Sequence, residues 1–179
     1  MVQFNQFQML NLLYQRRSIR RYKPIKLDSD TIQKLIKAAL LSPSSRGLQP
    51  WQFIVADDSE VLTQLAAAKK GAEFLKNAAL GIVILADPAR SDVWVEDASI
   101  AAAILHLTAE SLGLGSCWIQ IRERRFSETE TAEEYVRRIL GIPENLKVAA
   151  IISIGYPDES KPSHTDQELK FNKVHINKY

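Results

Sequence analysis

At 179 residues with a formal net charge of +2, the chain is long enough to close a core as one domain over 1–179, and too nearly neutral to coat nucleic acid. Hydrophobic residues make up 46% and charged residues 25%, the balance of a water-soluble globular protein. Cys117 stands alone, which excludes an internal disulfide and a cysteine-built zinc site; with neither a signal-peptide pattern nor an apolar run of ~20 residues, a cytoplasmic protein outside the membrane is expected.

In chain order, Phe4–Tyr14 is amphipathic and predicts a helix that runs into the basic stretch QRRSIRRYK, residues 15–23. No Asp or Glu occurs from Met1 to Leu27, so Arg16, Arg17, Arg20, Arg21, Lys23 and Lys26 have no local acidic partner. LDSDTIQKLIKAALLSP predicts a helix capped by Asp28, Ser29 or Asp30, with Ile32, Leu35, Ile36, Ala39 and Leu40 on one face. The loop SPSSRGLQP leads into WQFIVA, a strand by composition, and a helix is expected from about Glu60 to Lys70. LGIVILA predicts a strand buried on both faces.

Val95–Leu112 predicts a long helix, apolar around most of its circumference and therefore packed against a second subunit as well as its own sheet. SCWIQI predicts a third strand, ETAEEYVRRILG a helix stopped by Gly141, KVAAIISIG a central strand and KVHINKY an edge strand. Helices alternating with buried strands specify an α/β or α+β sandwich. Neither Gly-x-Gly-x-x-Gly after a strand nor Gly-x-x-x-x-Gly-Lys-Ser/Thr is present, so any anion at the basic stretch must be held by side chains.

In an extended segment Arg16, Ser18 and Arg20 would share one face, two guanidinium forks about a hydroxyl. That is either a phosphate socket or a solvated basic loop. The loop PSSRGLQPW, about 25 residues on, is similar to the loop before the first strand in the FMN-dependent nitroreductase family, where an R-x-S-x-R/K segment precedes it at such a distance. VEDASIAAAILHLTAESLGLGSCWI resembles the family's central helix and following strand, and IISIGYP and KVHINKY the ends of its compact members.

The resemblance implies an α+β fold, a three-layer α/β/α sandwich with a central mixed sheet, forming a homodimer with one FMN per subunit at the interface. It also implies NADH or NADPH as donor and a small-molecule acceptor such as a nitroaromatic or quinone. Arg16, Arg17 and Ser18 would hold the phosphate and ribityl end, and Arg20 the flavin N1/O2 edge. Pro43, Ser44 and Ser45 would reach the partner's flavin, with Gln49 ordering their loop. Gln120 and Ile121, with Gly155 and Tyr156 nearby, would flank the reactive N5 edge. Lys173, with Lys170 in reserve, would supply the C-terminal phosphate cation. Gly47 stands where many members have Asn, and Arg46 before it, with no carboxylate in its own loop, is the candidate substrate contact.

The remaining polar candidates have plainer readings. His106 and Cys117 are expected in the core, His175 in a packing role, His164 outside any ligand set, and Asp97 as a first-turn charge. Trp51, Trp94 and Trp118 are core candidates, with Trp94 the nearest to a pocket mouth. Two further readings are an FMN enzyme of the same fold with a different reaction, dehalogenation or flavin fragmentation, and a basic module docking on nucleic acid, which the small net charge disfavours.

Overall fold

The computed structural model describes residues 8–179; Phe4 and Phe7 of the first predicted helix lie outside them. Helix α1 spans Gln8–Gln15 and α2 Ser29–Leu40, where Asp28 is the cap and accepts the Thr31 N–H at 2.7 Å. Strand β1 is Trp51–Ala56, followed by α3, Ser59–Ala66, capped by Asp58. This helix stops short of the predicted Lys70 because Ala67 and Ala68 donate to Gln64 and Leu65, three residues back, which tightens and ends the last turn.

Strand β2, Leu80–Ala86, precedes α4, Trp94–Ser111, and β3, Gly115–Gln120. Helix α5, Ala132–Leu140, carries a Thr131–Glu134 capping box and ends on left-handed Gly141 (φ 64°). Strand β4 is Lys147–Gly155.

The sheet order is β1-β2-β4-β3, and each ladder is antiparallel. A parallel bridge from Ser18 to Ser116 adds the basic segment at the start of β3 and makes the sheet mixed. Strand β2 is buried throughout, as its unbroken apolar run predicted. Ile82 and Ile84 join α2 and α4 in one core, and Val83 and Leu85 join α3 and α5 in the other, so the sheet lies between two helical layers. The final segment differs from its predicted strand. Phe171–Lys173 is a 3-10 turn, and Val174, Ile176 and Tyr179 are exposed and pair with no strand among the described residues. His175 stacks on Tyr179 with ring centroids 4.3 Å apart.

Helix α4 is only half covered. Ala98, Ala101, Ala102, Leu105 and Ala109 face the core, whereas Ile100 and Ala103 are exposed and Ile104 and Leu107 half-buried. Among the described residues no helix is long and apolar enough to cross a membrane. Gly115, where the basic segment crosses β3, has no room for a side chain: a Cβ there would lie 2.7 Å from Ile19 Cγ2. Gly115→Ala should therefore cost about 1–3 kcal/mol, read as a lowered midpoint in urea unfolding.

Candidate cofactor site

The basic segment leaves α1 at Arg16, whose N–H still reaches Leu12 O at 2.8 Å, and docks on β3 through Ile19 N–H to Ser116 O at 2.9 Å. A carboxylate from the far end of the chain meets its backbone, while none of Arg16, Arg17, Arg20 and Arg21 forms an ion pair among the described residues. Glu159 Oε1 accepts the backbone N–H of Arg20 at 2.5 Å and of Arg21 at 3.2 Å. These bonds, Arg20's first, hold the Glu159 carboxyl below the usual glutamate range. Arg17 donates to Pro162 O, Lys161 Nζ to Ser18 O, and Tyr14 Oη to Asp166. Residues 156–166 thus strap the segment against β3.

The one-face array of Arg16, Ser18 and Arg20 is not formed. Arg16 lies by α4, close enough to act on His106 and Glu110, whereas the Arg20 guanidinium sits 5.8 Å from the Phe74 ring centroid, in the opposite layer. The segment pairs with the sheet at isolated bridges, Ser18–Ser116 and Tyr22–Pro157, so the strict alternation of a strand does not hold along it. Tyr22 turns into the core, where its hydroxyl lies 2.6 Å from Ile19 O and 2.7 Å from Ser153 Oγ.

His106 is half-buried at the edge of the core and bonded to a neighbour, rather than fully inside it. Its Nδ1 lies 2.7 Å from Ser116 Oγ, and burial, with Arg16 adding to it, pushes its pKa down to about 4. Cys117 is buried and its thiol is pushed up by burial, so it is inert.

From Ser116 to Gln120, β3 advances about 13 Å at ~3.3 Å per residue. Gln120 therefore marks the far end of the same strand edge. Its amide accepts from Trp118 Nε1 at 2.9 Å and donates to Arg122 O at 2.8 Å, which fixes the side chain. The Arg122 guanidinium lies 5.9 Å from the centroid of Trp94. Ile121 is fully buried in the core, so only its backbone can serve a ligand.

The 43–49 loop is held by a carboxylate that sequence reasoning assigned to the helix dipole. Asp97, 2% exposed, accepts Ser45 N–H at 2.7 Å and Ser91 Oγ–H at 2.9 Å. The Gln49 N–H donates to Ser44 Oγ at 2.9 Å, so Gln49 does order the loop, through its backbone. Arg46 (φ 54°), Gly47 (φ 67°) and Gln49 (φ 47°) are all left-handed. Arg46 pairs with Asp92, outside its loop, and its side chain stays 63% exposed. Pro43 is exposed and available.

Lys173 and Lys170 lie in the exposed tail, and neither forms an ion pair among the described residues. Lys161 is a tail cation that does meet the basic segment, at Ser18 O. Nothing periodic marks residues 157–165, so a sequence pattern could not have singled it out. His164 bonds Glu168 at 2.6 Å and sits outside the site.

The family model described as Nitroreductase family matches residues 13–72 and 64–156. An FMN-dependent nitroreductase from Clostridium difficile is 49% identical, superposes with a TM-score of 0.93, and the match covers 95% of this chain and 99% of that one. A relative from Archaeoglobus fulgidus, provisionally named an NADH dehydrogenase/NAD(P)H nitroreductase, is 38% identical over 95% of this chain and 98% of its own. The NADPH:FMN oxidoreductase of Vibrio harveyi, solved with NAD+, is 26% identical with a TM-score of 0.81, over 96% of this chain and 77% of that one. With its motifs in order on this fold, the chain belongs to the nitroreductase family.

Proposed function

We propose that the protein is an FMN-dependent oxidoreductase, working as a homodimer, that takes hydride from NADH or NADPH and passes it to a small oxidised acceptor such as a nitroaromatic or quinone. The observation that carries this reading is the strapped β3 edge, with cations and a hydroxyl at Ser116 and a fixed amide at Gln120. An elongated ligand with an anionic tail and a flat hydrogen-bonding ring fits that polarity. The names of the relatives, an FMN-dependent nitroreductase and an NADPH:FMN oxidoreductase, support FMN as that ligand.

Arg16, Arg17, Ser18 and Lys161 would hold the phosphate and ribityl chain. Arg17 spends one donor on the Pro162 carbonyl and keeps others, whereas Lys161 donates to Ser18 O and also lies 3.7 Å from the Glu159 carboxylate, which a phosphate would have to share. Lys173, exposed in the tail, would supply the C-terminal phosphate cation. FMN, when bound, supplies the hydride and electron transfer. Arg20, which forms no ion pair among the described residues, would place positive charge where the ring becomes negative on reduction. Gln120 and the Ile121 backbone would flank the ring. Pro43, Ser44 and Ser45, on the loop fixed by Asp97, would serve the flavin of the other subunit.

The open stripe of α4, with Met9, Leu10 and Leu13 of α1 exposed beside it, is the apolar surface a partner would cover. Arg46, held by Asp92 yet largely exposed, is proposed at the pocket rim as a contact for an anionic group of the substrate. The test is the flavin content of the purified protein and its response to Arg16→Ala. Loss of one charge-assisted bond should weaken FMN binding roughly 10–100-fold. Riboflavin binding as tightly as FMN would refute the phosphate assignment.

A further inference from the structure

A cavity of about 500 Å³ lies apart from the β3 edge, where the segment after Tyr22 passes the start of α3 and the 3-10 turn Glu73–Asn77. That volume is in the range of small-molecule sites. Lys23, Lys26 and Lys76 line it, with Asp57, Ser59 and Asn77 among them. None of these lysines, nor Asp57, forms an ion pair with another described residue, and the side chains of Ser59 and Asn77 bond to none. Asp58 next door is spent on its helix cap, accepting the N–H groups of Glu60 and Val61.

Three lysines against one aspartate leave the cavity with a formal charge of +2, which complements the charge of about −1.5 to −2 on a phosphomonoester at neutral pH. Pro24, Ile25 and Leu62 supply an apolar wall for a flat ring. Asp57, Ser59 and Asn77 can accept and donate to hydroxyl groups. We infer that this cavity binds a nucleoside phosphomonoester. The 2′-phosphoadenosine end of NADPH and a free nucleotide both carry that chemistry.

The test is calorimetric titration of the FMN-loaded protein with 2′,5′-ADP and, separately, with adenosine. The diphosphate should bind ~10-fold or more tightly than adenosine, because charge-assisted bonds are the strong ones, and the difference should shrink in high salt. Lys26→Ala with Lys76→Ala should abolish the difference while flavin absorbance and thermal midpoint stay unchanged, since both side chains are exposed. Equal affinity for the two ligands, or a double variant that binds like the parent, overturns the inference. Competition of 2′,5′-ADP with NADPH in turnover identifies the donor as the source, and binding without competition identifies a free nucleotide; either keeps the site. A protein that carries no flavin or turns over neither donor would remove the proposed function and leave the titration readable.

Discussion

Asp97→Ala is expected to destabilise the protein by about 3 kcal/mol, because two buried donors, Ser45 N–H and Ser91 Oγ–H, lose their acceptor together. For a chain of this size that lowers the melting temperature by roughly 6–12 °C. Scanning calorimetry reads the loss directly. Asp97→Asn keeps an acceptor for Ser45 and a group that can pair with the Ser91 hydroxyl, so its cost should be about 1 kcal/mol or less. The two variants also separate fold from function. Ser44–Gln49 carries three left-handed residues and relaxes once its tether is cut. Asp97→Ala should therefore lower FMN retention even at temperatures where the protein is fully folded, and an alanine variant with the parent's midpoint would show that the tether does not bear on the loop.

Stability should fall as the pH drops from about 6.5 towards 4, through His106. Its folded pKa of about 4 lies below the ordinary value of 6.5, so above 6.5 both states are neutral and the stability is fully present. Between the two values the unfolded chain takes a proton that the folded one refuses, and stability is lost at up to ~1.4 kcal/mol per pH unit. Partial solvent access to the ring brings the total to on the order of 2–3 kcal/mol. The groups facing His106 are Ser116 across the hydrogen bond, Arg16 from the basic segment and Glu110 one turn on in α4. Urea titrations at pH 7 and pH 5 on the parent and on His106→Gln isolate the effect. The variant should lose most of the difference between the two pH values, and an unchanged difference would assign the pH dependence elsewhere.

What could be read in advance follows the reach of each signal. Periodicity, caps and turn residues act over a few positions, so β1, β2, β4 and α2 emerged close to their observed bounds, with Asp28 and Gly141 at the predicted caps. The basic stretch was conspicuous because its charge had no local answer. The groups that meet it, Glu159 at two backbone N–H groups and the rest of the strap, lie at sequence separations of 138 and more. Side-chain direction was the weaker inference. Arg16 and Arg20 diverge because two isolated bridges do not impose a strand's alternation, and Ile121 turns inward although its neighbour Gln120 meets the site. Asp97 was legible only as a charge in a first helical turn, since the loop it tethers lies 52 residues away. KVHINKY had the alternation of a strand but joins no sheet among the described residues, and alternation alone does not supply a pairing partner.

The strap also sets an order of events during synthesis. Lys161 meets Ser18 across 143 residues, and Glu159 meets Arg20 across 139. A ribosome adding ~5–20 residues per second must work for many seconds after the basic segment emerges before its strap exists. Until then the segment is an exposed cationic arm on a nascent chain. If FMN binds at the strapped segment as proposed, its capture must wait for the last part of the chain.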